Sequence, residues 1–181
     1  MKGIFCPVKA NPNRIKELYM RKLFLVMGML LALSVAPVWA QGTMEAKVKA
    51  FAKAQREKAP SISVAELKGL MEKDEVYFEL VDIRTAPEFQ AGRIGDALHL
   101  DRNKLEWLAS KKLTDAQTPI YIYCKGGSRG AMATLRLLEI GYEKVVNIEG
   151  GVEAWAKAGY PLFNQLGEYR MTPEGMGKKP Q

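Results

Sequence analysis

Between Pro60 and Pro161, short apolar runs alternate with capped helical patterns, and this alternation limits the possible folds more than any other property of the chain. Ser63-Val64-Ala65-Glu66 has the residues of a capping box, in which a serine and a glutamate three positions on satisfy each other's free amides, and predicts a helix over 63–71. A run rich in β-branched and aromatic residues predicts a strand over 76–81. Thr85-Ala86-Pro87-Glu88 repeats the cap for a short helix ending near Gly92. Next come a short strand over 97–100, a helix over 103–110 and a strong central strand over 119–123. A helix over 131–140 is closed by Gly141, a strand covers 145–148, and a last helix over 152–158 is stopped by Gly159 and Pro161. Such alternation calls for crossover connections, which lay the strands parallel in one sheet covered on both faces. The expected class is therefore α/β, a mostly parallel sheet with helices on both sides. In sheets of this kind the functional site lies at the carboxyl ends of the strands.

The 181 residues divide unevenly. Met20-Arg21-Lys22 is basic, 23–35 is an apolar run, and Pro37-Val38-Trp39-Ala40-Gln41 supplies a small residue at a cut site with valine two positions before it. Residues 1–40 are expected to be a leader holding a secretory signal peptide cleaved after Ala40, with Met20 as the true start. Residues 23–40 are about the minimum length for a membrane span, but the proline and the cut site favour cleavage over retention as an anchor. Any membrane association is expected only through this leader, and the mature protein is expected to be exported, into the periplasm if the source is bacterial. The chain then continues as a basic N-terminal helix within 41–59, a domain over 60–163 and a loose tail over 164–181 rich in Gly, Pro, Lys and Gln. The helix, over 44–58, carries a thin apolar stripe of Met44, Val48, Phe51 and Ala52 and is expected to lie solvated against the domain.

Charge and cysteine usage narrow the function. The net charge of +7 is mostly a property of the leader, which holds six of the 27 basic and one of the 20 acidic residues; the remaining 21 basic and 19 acidic residues give +2. These are interleaved along the chain, which argues against nucleic acid as a partner. Cleavage also removes Cys6 and leaves Cys124 as a lone thiol in an oxidising compartment, where no internal disulfide is possible. Cys124 follows the apolar run Tyr121-Ile122-Tyr123 and precedes Lys125-Gly126-Gly127-Ser128-Arg129-Gly130 and a helix. Converging backbone amides, a helix N-terminus and two cations all favour the ionised form of a thiol, so Cys124 is the expected nucleophile. His99, in the apolar run Ala97-Leu98-His99-Leu100, reads as structural; Trp155, Phe89 and Tyr142 read as packing. With no further cysteine or histidine nearby in the pattern, neither a metal site nor a resident cofactor is expected.

Four segments in order resemble the landmarks of a rhodanese-like domain: Val81-Asp82-Ile83-Arg84 with Glu88-Phe89; Gly92-Arg93-Ile94-Gly95-Asp96-Ala97; Tyr123-Cys124-Lys125-Gly126-Gly127-Ser128-Arg129; and Gly150-Gly151-Val152-Glu153-Ala154-Trp155. The resemblance spans about 60–162 and implies a central five-stranded parallel sheet and sulfur transfer through a cysteine persulfide. Arg93 and Gly95 or Asp96 stand where the family usually has histidine and proline, a departure that concerns local packing of that turn.

The residues support the same chemistry. A thiolate ringed by the amides of Lys125, Gly126, Gly127, Ser128, Arg129 and Gly130 is stabilised without a separate base, and the outer sulfur of a persulfide meets the same donors. In the expected ping-pong cycle Cys124 attacks the outer sulfur of thiosulfate, sulfite leaves, and a thiol or cyanide later takes the sulfur. Lys125 and Arg129 at the mouth are expected to favour a doubly negative donor. Asp82 and Arg84, at the end of the neighbouring strand, are expected to orient the loop rather than to react. One rival is a non-enzymatic sulfane-sulfur carrier or thiol-reactive interaction module using the same cysteine. The other is a cysteine phosphatase or arsenate reductase, whose loop arginine lies one position further from the cysteine than Arg129 does.

Overall fold

The computed structural model describes residues 16–17, 20–22, 43–73 and 77–171. The leader's apolar run, its cut site, Cys6 and tail residues 172–181 lie outside the described residues. The chain forms two compact units, 1–45 and 46–181; in the first, residues 16–17 and 20–22 are helical. Among the described residues no helix is long and apolar enough to cross a membrane.

Helix α1 (Met44–Lys58) has its first two residues in the first unit and the rest in the second, where β1 (Ser61–Ile62), α2 (Val64–Met71), β2 (Glu79–Asp82), α3 (Ala86–Ala91) and β3 (Leu98–His99) follow it. A 3₁₀ turn (Arg102–Lys104) then leads into α4 (Leu105–Lys112), β4 (Ile120–Tyr123), α5 (Ser128–Ile140), β5 (Val145–Ile148) and α6 (Gly151–Lys157). A hairpin of β6 (Leu162–Asn164) and β7 (Gly167–Tyr169) completes it. Five strands form one sheet in the order β1-β5-β4-β2-β3, and every pair in it is parallel. From β2 the chain moves outward to β3 on one side, and from β4 outward to β5 on the other. The direction of winding thus reverses between β2 and β4, the place where a parallel sheet opens a crevice.

The strands feed two cores because successive side chains face opposite ways. Ile120 and Ile122 of β4 join Val81, Leu105, Ala109, Ala133 and Leu137 beneath α4 and α5. Tyr123 of the same strand faces the other layer, with Leu67, Leu80, Ile94, Ile148 and Trp155 beneath α2 and α6. Each fully buried aliphatic or aromatic side chain contributes about 1.5–3 kcal/mol, so the sheet's two faces anchor everything built on its edge. Both capping boxes form: Ser63 with Glu66, and Thr85 with Glu88.

Three expectations need correction. Of the strand placed over 76–81, residue 76 lies outside the described residues, and the strand is observed at Glu79–Asp82 because pairing with β4 runs on to Asp82 opposite Tyr123. α5 begins three residues before the predicted 131, since Gly127, at φ 89°, caps it and the glycine turn is already helical from Ser128. α1 has the predicted bounds and the expected solvation: none of its residues is buried, and Val48 and Phe51 of its apolar stripe are more than half exposed. Finally, the tail expected to be loose from 164 is ordered through the hairpin. Asn164 Oδ1 accepts the Leu166 amide, Gly167 takes φ 116°, and Phe163 forms an antiparallel bridge with Arg93. The Tyr169 hydroxyl donates to the Ala91 carbonyl at 2.7 Å, which fastens the hairpin to the end of α3.

Candidate active site

Cys124 continues the alternation of β4 for one more residue and so faces α5, in the same layer as Ile120 and Ile122. Its Sγ accepts the backbone N–H of Gly127 at 3.2 Å and of Gly130 at 3.3 Å. Of the six amides expected around the sulfur, these two donate to it, and the 13-residue α5 points its N-terminus at the same atom. Cys124 is 1% exposed, so the sulfur lies beneath the loop rather than on the surface. Ser128 is the first residue of α5, and Lys125 and Gly126 form the outer turn.

A second helix holds the loop from below. The amides of Val152 and Glu153, in the first turn of α6, donate to the carbonyls of Cys124 (2.9 Å) and Lys125 (3.0 Å). This approach needs Gly151: at φ 55°, a Cβ there would overlap the Cys124 carbonyl oxygen and lie 2.7 Å from that of Lys125. Residues 150–152, read from sequence only as a family landmark, are thus the seat of the cysteine loop.

The two loop cations are both paired. Arg129 Nη2 lies 3.0 Å from Glu88 Oε1, and Lys125 Nζ lies 3.6 Å from Glu153 Oε1. The hydrogen bonds from Arg129, with those from Thr85, hold the Glu88 carboxyl down at about 2, so it is anionic at any working pH. Glu88 in turn raises the Arg129 guanidinium, which the Cys124 sulfur also stabilises. The mouth therefore carries alternating charge, which corrects the expectation of two free cations drawing in a dianion. Glu88 and Glu153 were missed as site residues, although a signal was present. Both are acidic first-turn residues of helices that follow a strand, and every such helix starts at the sheet edge where Cys124 lies.

The side chains of Asp82 and Arg84 pair with each other, and Arg84 with the Gly92 carbonyl, rather than with the cysteine loop. Both are buried, and Arg84 grips the Asp82 carboxylate through Nε (3.0 Å to each oxygen) and Nη2 (2.6 Å) while Nη2 also reaches the Gly92 carbonyl at 2.5 Å. Burial works against the Arg84 cation, but Asp82 outweighs it and the guanidinium is raised. The Tyr123 hydroxyl accepts the Ile94 amide at 3.1 Å, and the Arg84 guanidinium lies 5.7 Å from the centre of its ring; burial first, and then Asp82, push its ionisation well above the usual tyrosine range. The pair thus fixes Tyr123, the residue before Cys124, and the wall beside it. The expected direct grip on the loop is replaced by this indirect one. His99 Nε2 bonds the Arg84 carbonyl at 2.8 Å and its ring stacks on Phe89, Trp155 donates to the Pro161 carbonyl, and Tyr142 to that of Leu113, all structural contacts as expected. Arg93, at the histidine position of the family, lays its guanidinium over the Phe89 ring. Among the described residues no group of three or more His, Cys, Asp or Glu side chains is placed to hold a metal ion.

A cavity of about 590 Å³ opens beside the loop, lined among others by Arg84, Glu88, Lys125, Glu153, Leu162 and Tyr169. One wall is the α6 side of the cysteine loop and another is the hairpin.

Residues 63–158 match the sequence pattern of the Rhodanese-like domain family, and the chain belongs to that family. It is 40% identical over 96 residues to a sulfurtransferase of Allochromatium vinosum, an alignment covering 53% of this chain and 80% of the relative. Among solved structures it is similar to the polysulfide-sulfur transferase homodimer of Wolinella succinogenes, with 28% identity, TM-score 0.58, and coverage of 68% of this chain and 91% of the other. It is also similar to a rhodanese-like domain from Anabaena, with 25% identity, TM-score 0.55, and coverage of 67% and 85%. These relatives support a sulfur-transfer role for the site around Cys124.

Proposed function

We propose that the protein is an exported sulfurtransferase that moves a sulfane sulfur from thiosulfate or a similar donor to a thiol or cyanide through a persulfide on Cys124. The observation that carries this reading is a single sulfur at a strand end, accepting two backbone amides at the start of a long helix. Those donors favour the thiolate, which attacks the outer sulfur of the donor. With thiosulfate the donor's S–S bond breaks, sulfite leaves with the bonding pair, and Cys124 becomes Cys–S–S⁻. The inner sulfur remains over the Gly127 and Gly130 amides and the added sulfur carries the charge toward the loop mouth. Cyanide then attacks the outer sulfur to release thiocyanate, or a thiolate takes it as a new persulfide, and the Cys124 thiolate returns. Neither half-reaction requires a proton, a metal or an external oxidant.

Purified protein is expected to release sulfite from thiosulfate and form thiocyanate in the presence of cyanide, and Cys124→Ser to lose both. A stable gain of one sulfur without turnover would instead identify a carrier. The leader supports export, into the periplasm of a bacterium; N-terminal sequencing of protein secreted by a bacterial host should begin at Gln41, and a start at Met20 or earlier would contradict it.

A further inference from the structure

The pairing of Arg129 with Glu88 bears on which sulfur donors the site accepts, and this inference rests on the sulfurtransferase reading above. Glu88 occupies the third position of α3, where its Oε2 accepts the Thr85 amide (3.0 Å) and hydroxyl (2.8 Å). Both oxygens also face the Arg129 guanidinium, at 3.0 Å and 3.3 Å. The carboxylate is therefore fixed by its own helix and stands in the place an anionic substrate group would take on Arg129. On the other side of the loop Glu153 forms an exposed ion pair with Lys125 at 3.6 Å, and Lys157 lies one turn further along α6 on the same cavity. Arg84, the remaining cation on the cavity wall, is committed to buried Asp82.

We propose that Glu88 is a specificity-determining residue: it withholds the Arg129 charge from incoming donors and biases the site toward sulfane sulfurs carrying one negative charge over dianions such as thiosulfate. A thiosulfonate, R–SO₂–S⁻, tests this directly, because it delivers its outer sulfur to Cys124 by the same displacement, expelling a sulfinate where thiosulfate expels sulfite. The two donors differ by one unit of charge at the group left behind. Removing one carboxylate about 4 Å from that group in a largely solvated mouth changes the interaction with a unit charge by about fivefold in rate.

The test compares kcat/KM for thiosulfate with that for methanethiosulfonate, reading cyanide-dependent thiocyanate, in the wild-type protein, Glu88→Gln and Thr85→Ala. Glu88→Gln is expected to raise the thiosulfate-to-thiosulfonate ratio by about fivefold. Thr85→Ala, which weakens the same helix cap but keeps the carboxylate, is expected to leave the ratio at the wild-type value. An unchanged or lowered ratio in Glu88→Gln overturns the assignment, as does an equal rise in Thr85→Ala. Should Glu88→Gln fail to fold, the wild-type protein decides: a paired mouth predicts that kcat/KM for thiosulfate changes less than about twofold between about 20 mM and about 0.5 M salt, and a steep fall overturns the proposal. If neither donor adds a sulfur to Cys124, the sulfurtransferase reading itself fails; persulfide formation with an unchanged ratio removes only the role of Glu88.

Discussion

At the residue scale, the cysteine and its turn were legible because the features that matter are consecutive: an apolar strand, a thiol, glycines and a helix start within ten positions. The partners of that turn were not, because Glu88 lies 41 residues from Arg129 and nothing local announces their meeting. The same holds for Gly151, whose need to lack a side chain arises from Cys124 and Lys125 carbonyls that reach it only through the sheet. Both Gly127 and Gly151 have positive φ, but they differ in what a methyl group meets. Gly127→Ala would face strain and one 3.0 Å contact to the Gly150 nitrogen, at about 1–2 kcal/mol. Gly151→Ala would press a Cβ into two backbone carbonyls that cannot rotate away, at about 3 kcal/mol or more. Urea unfolding of both variants should give this order, with sulfur transfer reduced more in Gly151→Ala; equal losses would mean that α6 does not seat the loop.

At the scale of elements, the longer helices and the central strand followed from caps and apolar patterning, with both capping boxes formed as read. The two-residue strand β1 was hidden, since two positions show no alternation and only pairing with β5 makes them a strand. The hairpin was missed for another reason: a composition of Gly, Pro and Lys suggests a tail, and the Arg93 bridge and Tyr169 hydroxyl that order it are long-range. The Glu88–Arg129 pair joins α3 to α5 and makes their association depend on pH in a definite direction. Glu88 is held at about 2 when folded, below its ordinary 4.5, so the unfolded chain binds its proton first as pH falls. The stability it provides is complete above about pH 4.5 and is lost as pH falls toward about 2. Denaturation midpoints for the wild type should fall across that window, and those of Glu88→Gln should fall less steeply; parallel profiles would show that the pair does not couple the helices.

At the scale of the whole molecule, the α/β class and the edge that carries the site were implied by alternation alone, because crossover helices bring strand ends and helix starts to one edge of a parallel sheet. The strand order required the structure, and with it came the cavity between the cysteine loop and the hairpin. The family match covers 63–158, while the hairpin that walls the cavity lies beyond it, at residues 162–169. The family's site thus stands on the sheet edge, and the donor choice proposed above rests on side chains around it. The measurement that reaches the centre of this picture is peptide mapping by mass spectrometry after brief exposure of the purified protein to a sulfane-sulfur donor. One added sulfur on the peptide containing Cys124, removed by cyanide, is the predicted result; an unmodified Cys124 peptide in a protein that still turns the donor over would contradict it.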